Sequence, residues 1–277
     1  ILLAGATAEF VMPWWGWPTI LFFTAVFIGG FGVMAGIRGG VLFVPLASSF
    51  FPFHIDFVRG TGLFIALGSS LAAAPHLLEK NLASLKLALP SALVASTFAI
   101  VGAFLGLWLS ALNPAYIQGS LGVTIIVIVF IMLLEKNSEH PDVTHGNYLT
   151  ELFQINGIYT EETTGKEVRW TVHKTSRGML GFVIVGLLAG IFGLGAGWAN
   201  VAILNLVMGA PVKVAVATSS FALSITDSTA AWIYMNKGAV LPILTVPSMV
   251  GIMLGAKIGS KLLPKVKPSV IRNMVIG

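Results

Sequence analysis

The sequence predicts an all-α polytopic membrane protein of two inverted repeats. Each repeat is a glycine-broken re-entrant segment plus three transmembrane helices, and a small extramembrane β-hairpin is inserted between them. Three observations carry this reading. Of 277 residues, 56% are hydrophobic and only 10% charged, with a mean hydropathy of +0.90. Soluble domains carry about 25% charged residues, so a chain this apolar belongs in a bilayer. Glycines crowd at Gly186, Gly190, Gly193, Gly195 and Gly197 inside an apolar stretch. A backbone broken in this way is tolerated at membrane depth only where it is buried in protein or lines a wet cavity. Finally, the stretch occurs twice.

The elements follow in order. Trp14, Trp15 and Trp17 around Pro13 and Pro18 read as an interfacial belt before the first apolar run. Thr19–Phe51 is apolar and broken at Gly36-Ile37-Arg38-Gly39-Gly40. Residues 57–78, 85–110 and 114–134 form the next three spans, with Pro114 opening the last. Residues 135–176 carry seven acids and four Lys/Arg, which marks a loop outside the bilayer. Within it Val168, Trp170 and Val172 alternate beside a Thr-Gly turn, predicting a hairpin. Arg177–Met208 is the second broken stretch, 211–235 and 238–263 are further spans, and Pro268 opens another.

Offsetting the halves by 157 residues superposes Gly36 on Gly193, Gly40 on Gly197, Thr61 on Thr218, Pro90 on Pro247 and Ser91 on Ser248. Gly102/Gly106 and Gly255/Gly259 correspond after a further four-residue shift. The units are therefore a first repeat at 1–134, the hydrophilic insert at 135–176 and a second repeat at 177–277. The repeat length leads one to expect chain beyond Gly277, and Ile1 is not the expected initiator.

Charge sets the topology. If each broken segment crossed once, the short loops would divide eight Lys/Arg against six and decide nothing. If each is a re-entrant hairpin, residues 21–35 reach about 22 Å inward and 41–50 return about 15 Å. Twelve Lys/Arg then share one face with the insert, against Arg59 and Lys237 on the other. That is a strong positive-inside bias, placing 135–176 in the cytoplasm and the N-terminus outside. Three crossings per repeat invert one half relative to the other, an architecture of secondary transporters.

Composition and motifs exclude several chemistries. With no cysteine there are no disulfides, thiolate metal sites or cysteine nucleophiles. No HExxH, GxSxG or GxxxxGK[ST] occurs, so neither an enzyme nor an ATP motor is expected, and no cofactor is implied. The net charge of +5 is an orientation signal and not a nucleic-acid footprint. His54, His140, His145 and His173 show neither metal spacing nor apparent partners, and His76 beside Glu79 reads as interfacial.

The polar residues within spans are the candidate site. A helix resuming after a break points its positive end at the cavity, which suits an anion. The backbone N–H groups around Gly36, Gly39, Gly40, Gly193, Gly195 and Gly197 are candidates for such a cradle, although glycines also serve plain helix packing. Thr61, Thr218, Ser219 and Ser220 either donate to an oxyanion or bond their own helix carbonyls. Asn200 and Asn205, on the return arm of the second hairpin, are ligand groups or interhelical ties. Asp227 is a coupling group or counter-ion, or else a structural partner for a cation. Arg38, at the apex where the other repeat has Gly195, costs at least about 2.5 kcal/mol near the midplane. Either the anion or Asp227 offsets that cost, and a guanidinium fork suits two oxygens of a sulfonate or carboxylate.

Gly193-Leu194-Gly195-Ala196-Gly197 with Ala215-Val216-Ala217-Thr218-Ser219, and Gly36–Gly40 with Pro45 and Gly60-Thr61-Gly62, resemble the repeats of the sulfite exporter TauE/SafE family of anion permeases. The resemblance covers about residues 20–277 apart from the insert. Arg38 stands where the family pattern has glycine, and the insert is longer than a minimal member needs. It implies a secondary transporter of the cytoplasmic (inner) membrane that moves sulfite or an organosulfonate, with proton coupling as an option. The partners are then the anion and the lipid bilayer. The alternative is an anion channel with a glycine-lined pore.

Overall fold

The computed structural model describes residues 13, 15–35, 39–50, 53–79, 82–134, 156–160, 167–195 and 197–262. Gly36, Arg38, Trp14, most of the insert and the span expected after Pro268 lie outside the described residues.

The first half holds α1 (Gly16–Ala35), α2 (Gly39–Phe50), α3 (Ile55–Glu79), α4 (Leu85–Leu112) and α5 (Pro114–Leu134). Two short strands follow, β1 (Asn156–Thr160) and β2 (Glu167–Thr171). The second half holds α6 (Thr175–Phe192) and α7 (Gly197–Ala202), which runs into a π-helical turn at Ile203–Val207. It continues with α8 (Val212–Asn236) and α9 (Pro242–Leu262). Pro114 and Pro242 occupy first helical positions, where a missing N–H costs nothing. Asn113 Oδ1 accepts from the Ala115 N–H at 2.9 Å and caps α5.

Among the described residues, five helices are long and apolar enough to cross a membrane: α1, α3, α4, α6 and α9. Their outer faces are apolar. Phe23 and Phe27 of α1, Leu93 and Trp108 of α4, and Val246 and Ile258 of α9 are all more than half exposed. Helix α8 is the most polar of the long helices and sits inside, burying Lys213, Thr218, Ser219, Ser220, Thr226 and Asp227. That placement removes its polar groups from lipid, where each would be expensive.

Contacts between named residues fix the helix directions. A methyl added at Gly251 would meet Phe22 O at 2.4 Å, and one at Gly259 would meet Gly30 O at 2.5 Å, so α1 and α9 run parallel. Thr61 Oγ1 lies 2.9 Å from Thr245 Oγ1, while Gly68 lies against Met249 and Met253, so α3 is parallel to both. By the same test α4 is parallel to α6, with Gly186 on Ala95 and Gly106 on Ile191. Helix α8 joins them: Thr218 takes the Ser84 N–H, and Ala230 clusters with Ala99 and Ala103. Arg59 bonds Tyr234 while Ala66 and Asp227 both lie against Gly195, so α3 and α8 are antiparallel and the two sets oppose each other. Helix α2 runs back along α3, with Gly39 on Ile65 and Gly62 on Val44.

Equivalent positions pack equivalently. A methyl at Gly29 would strike Ile252 O at 2.6 Å, and one at Gly186 would strike Ala95 O at 2.3 Å; both members of the pair are related by the 157-residue offset. Gly102 on Leu187 O and Gly259 on Gly30 O form a second such pair. The four-residue shift expected for these glycines is therefore unnecessary, because packing aligns Gly102 directly with Gly259.

Three further expectations need correction. The outgoing arms are longer than about 22 Å: α1 has 20 residues and α6 has 18, about 30 and 27 Å of helix. Arg59 is no loop charge; it lies inside α3 and is completely buried. Lys213, counted with the charges of the cytoplasmic face, is buried in the first turn of α8.

The expected hairpin is present. Antiparallel β1 and β2 pair Gly157 with Trp170 and Ile158 with Arg169. Val168, Trp170 and Val172 turn inward as their alternation predicts. Val172 is fully buried among Leu87, Phe182, Leu204 and Met208. The hairpin is thus docked on the ends of α4, α6 and the π-helical turn.

Candidate functional site

The second break begins where α6 ends. Gly193 adopts φ +66° and its N–H donates to Ala189 O at 3.0 Å, the left-handed cap that glycine favours. Gly195 also has positive φ, +56°, and the Gly197 N–H bonds back to Gly195 O at 2.5 Å before α7 starts. Two left-handed residues in three turn the chain sharply without a side chain to obstruct it.

That turn is pressed against the start of α2 and against α3. A methyl at Gly40 would lie 2.6 Å from Leu194 O and 2.8 Å from Gly62 O, and one at Gly62 would lie 2.7 Å from Gly193 O. Gly39 abuts Ile65 and Ile252, the latter halfway along α9. The first turn of α2 and the second break therefore approach backbone to backbone at the middle depth of the bundle. Side chains at these glycines would force them apart.

The buried polar residues differ in what they bond. A point one methyl from Gly195 lies 2.3 Å from Ala66 Cβ and 3.1 Å from Asp227 Oδ2, which puts the Asp227 carboxylate at the break. Asp227 is fully buried. Asn200 lies one turn beyond Gly197 on the same face of α7 and is 1% exposed, and its Oδ1 has no hydrogen-bond partner. Asn205 donates to Ala210 O at 2.8 Å, which closes the π-helical turn onto the loop before α8. Thr61 bonds Thr245 across helices, and Thr218 accepts from the Ser84 N–H at 3.1 Å. Ser219 and Ser220 donate to Val216 O at 2.9 and 2.8 Å, within their own helix. Gly39, Gly40, Gly193, Gly195, Gly197 and Asp227 are thus brought together, whereas the hydroxyls of Thr61, Thr218, Ser219 and Ser220 are used in holding helices.

Arg59 is the residue sequence reasoning placed elsewhere. Its guanidinium donates to Asp56 Oδ1 at 2.8 Å, to Gly106 O at 3.4 Å, to Ile191 O and to the Tyr234 hydroxyl. Tyr234 in turn donates to Gly190 O at 3.0 Å. Ile191 and Gly190 belong to the last turn of α6, whose carbonyls have no partner within the helix. A cation suits the negative end of the helix dipole, so Arg59 and Tyr234 cap the helix at the point where it breaks. The span read from the sequence, 57–78, already contained Arg59; what the sequence did not show was that it is buried. Nearby, His54 Nδ1 accepts from the Asp56 N–H at 3.3 Å, so this histidine does have a partner. Among the described residues no group of His, Asp and Glu could hold a metal ion.

Apolar outer helices around a buried, polar and broken centre define a multi-pass membrane transport protein. Residues 21–277 match the family of sulfite exporter TauE/SafE proteins, and the chain belongs to that family. It is also similar to a probable membrane transporter protein, YunE, of Bacillus subtilis (strain 168). The two are 24% identical over 229 residues, covering 80% of this chain and 79% of that one. No solved structure matches the chain.

Proposed function

We propose that the protein is a secondary transporter that carries a small sulfur-containing anion, sulfite or an organosulfonate, across the cytoplasmic membrane by alternating access. The observation that carries the reading is the contact of Gly62 in α3 with Gly193 at the end of α6, two helices that run in opposite directions, with Gly40 of α2 against Leu194 beside it. Helices α1, α3 and α9 oppose α4, α6 and α8, so corresponding helices of the halves point opposite ways. Inverted repeats whose broken helices meet at mid-depth let one half rock against the other around a fixed site. In this reading the first repeat is 1–134, the second 177–277, and the insert at 135–176 is cytoplasmic. The site takes the anion on the backbone N–H groups near Gly39, Gly40, Gly195 and Gly197, with Arg38 and Asn200 beside them. Asp227 holds a cation or a coupling proton. The family supports the choice of a sulfite-type anion.

Purified protein in proteoliposomes tests this. Radiolabelled sulfite inside should leave faster when unlabelled sulfite is present outside, because a carrier returns loaded faster than empty. Flux without such trans-stimulation would favour the glycine-lined channel instead.

A further inference from the structure

Buried serine hydroxyls in this bundle fall into two groups. Those of Ser91, Ser219 and Ser220, like that of Thr226, each bond a carbonyl three or four residues back on their own helix. Those of Ser69, Ser70, Ser96, Ser110 and Ser248 have no hydrogen-bond partner among the described residues, and of these only Ser69 and Ser70 are neighbours, adjacent on α3. Ser69 and Ser70 are 1% and 0% exposed. Ile65 O and Ala66 O, four residues back, are in reach of such a bond in an ordinary helix, so both hydroxyls are turned away from the α3 backbone. A buried hydroxyl left without a partner is costly and calls for an explanation.

Their position supplies one. Ser69 and Ser70 lie three and four residues beyond Ala66, and therefore on the same face of α3. Ala66 is the residue whose Cβ meets Gly195 at the second break, next to Asp227 Oδ2. Because Arg59 bonds Tyr234 and Ala66 and Asp227 both lie against Gly195, with Leu77 in one cluster with Val214 and Ala217, Ser70 falls opposite the middle of α8. The 157-residue offset places Ser69 on Thr226 and Ser70 on Asp227. The site therefore has a carboxylate in one repeat where the other has a hydroxyl.

We propose that Ser69 and Ser70 are substrate-binding residues whose hydroxyls donate to the oxygens of the transported oxyanion beside Gly195. This rests on the carrier reading above. Two neighbouring O–H donors on one helix face match two oxygens of a sulfite or sulfonate group, and their partner is then the cargo itself. The duplicated fold thus provides an acceptor at Asp227 and a donor at Ser70 from equivalent positions, with Ser69 next to it.

The test uses the full chain in detergent, with sodium sulfite, sodium sulfoacetate and sodium acetate as probes, read by thermal unfolding and titration calorimetry. Without anion, Ser69→Ala/Ser70→Ala should unfold at or above the wild-type temperature, since it removes two unpartnered hydroxyls. Its affinity for the sulfur anion should fall at least tenfold, because bonds to a charged group are lost. Ser70→Thr, which keeps a hydroxyl, should stay within about threefold of wild type. Wild-type affinity in the double variant, or a lower unfolding temperature without anion, would overturn the assignment while leaving the carrier reading in place. Failure of the wild-type protein to bind either sulfur anion would overturn both.

Discussion

Arg59 and Tyr234 meet across α3 and α8, the guanidinium carbon 5.1 Å from the phenol ring centroid, and together they close the end of α6. The contact draws four helices to one point, since Asp56 and Arg59 belong to α3, Gly106 to α4, Ile191 to α6 and Tyr234 to α8. Without it the last carbonyls of a helix that stops inside the protein would have no donors. Arg59→Met should therefore lower stability by about 2–4 kcal/mol, as breaking a buried charged network does. Tyr234→Phe, which loses one hydroxyl, should cost about 1–2 kcal/mol. Thermal unfolding in detergent checks both, and an unaffected Arg59→Met protein would refute the capping role.

Packing through paired glycines predicts paired costs. Gly29→Ala and Gly186→Ala each push a methyl into a backbone carbonyl, at 2.6 and 2.3 Å, and should destabilise by similar amounts of about 1–3 kcal/mol. Gly122→Ala in α5 meets nothing within 4 Å and should change stability by no more than about 0.5 kcal/mol. Comparing the three unfolding temperatures tests whether the halves pack equivalently, and unequal losses at Gly29 and Gly186 would count against it.

Asp227→Asn keeps the size and hydrogen-bonding capacity of a fully buried side chain while deleting its charge. If Asp227 carries a coupling proton or holds a cation in the site, proteoliposome uptake should fall at least tenfold and lose its dependence on external pH. Uptake that survived with an intact pH profile would make Asp227 a packing residue.

The orientation is testable because the chain has no cysteine. Asn113→Cys lies in the exposed turn between α4 and α5, and Asn147→Cys lies in the insert. In intact cells an impermeant maleimide should label only the first. The reverse pattern would invert the topology, and labelling of both would contradict the parity of spans.

The sequence by itself determined the membrane class, the boundaries of the described spans to within a few residues and the pairing of two strands in the insert, while the docking of those strands came from the tertiary structure. Each of the first three depends on composition or on a period along the chain: long apolar runs, proline at helix starts, and alternation at Val168, Trp170 and Val172. The sequence also marked the two breaks, since glycine density shows without knowing what lies opposite. The uses of individual polar groups were decided only by tertiary structure. Ser219 and Ser69 look alike in sequence, yet one hydroxyl bonds Val216 O and the other has no partner. Arg59 looked like a boundary charge because, apart from Asp56, its partners lie 47, 132 and 175 residues away. Only folding brings those carbonyls and that phenol around it, and burial then turns a charge at the start of a span into the cap of another helix.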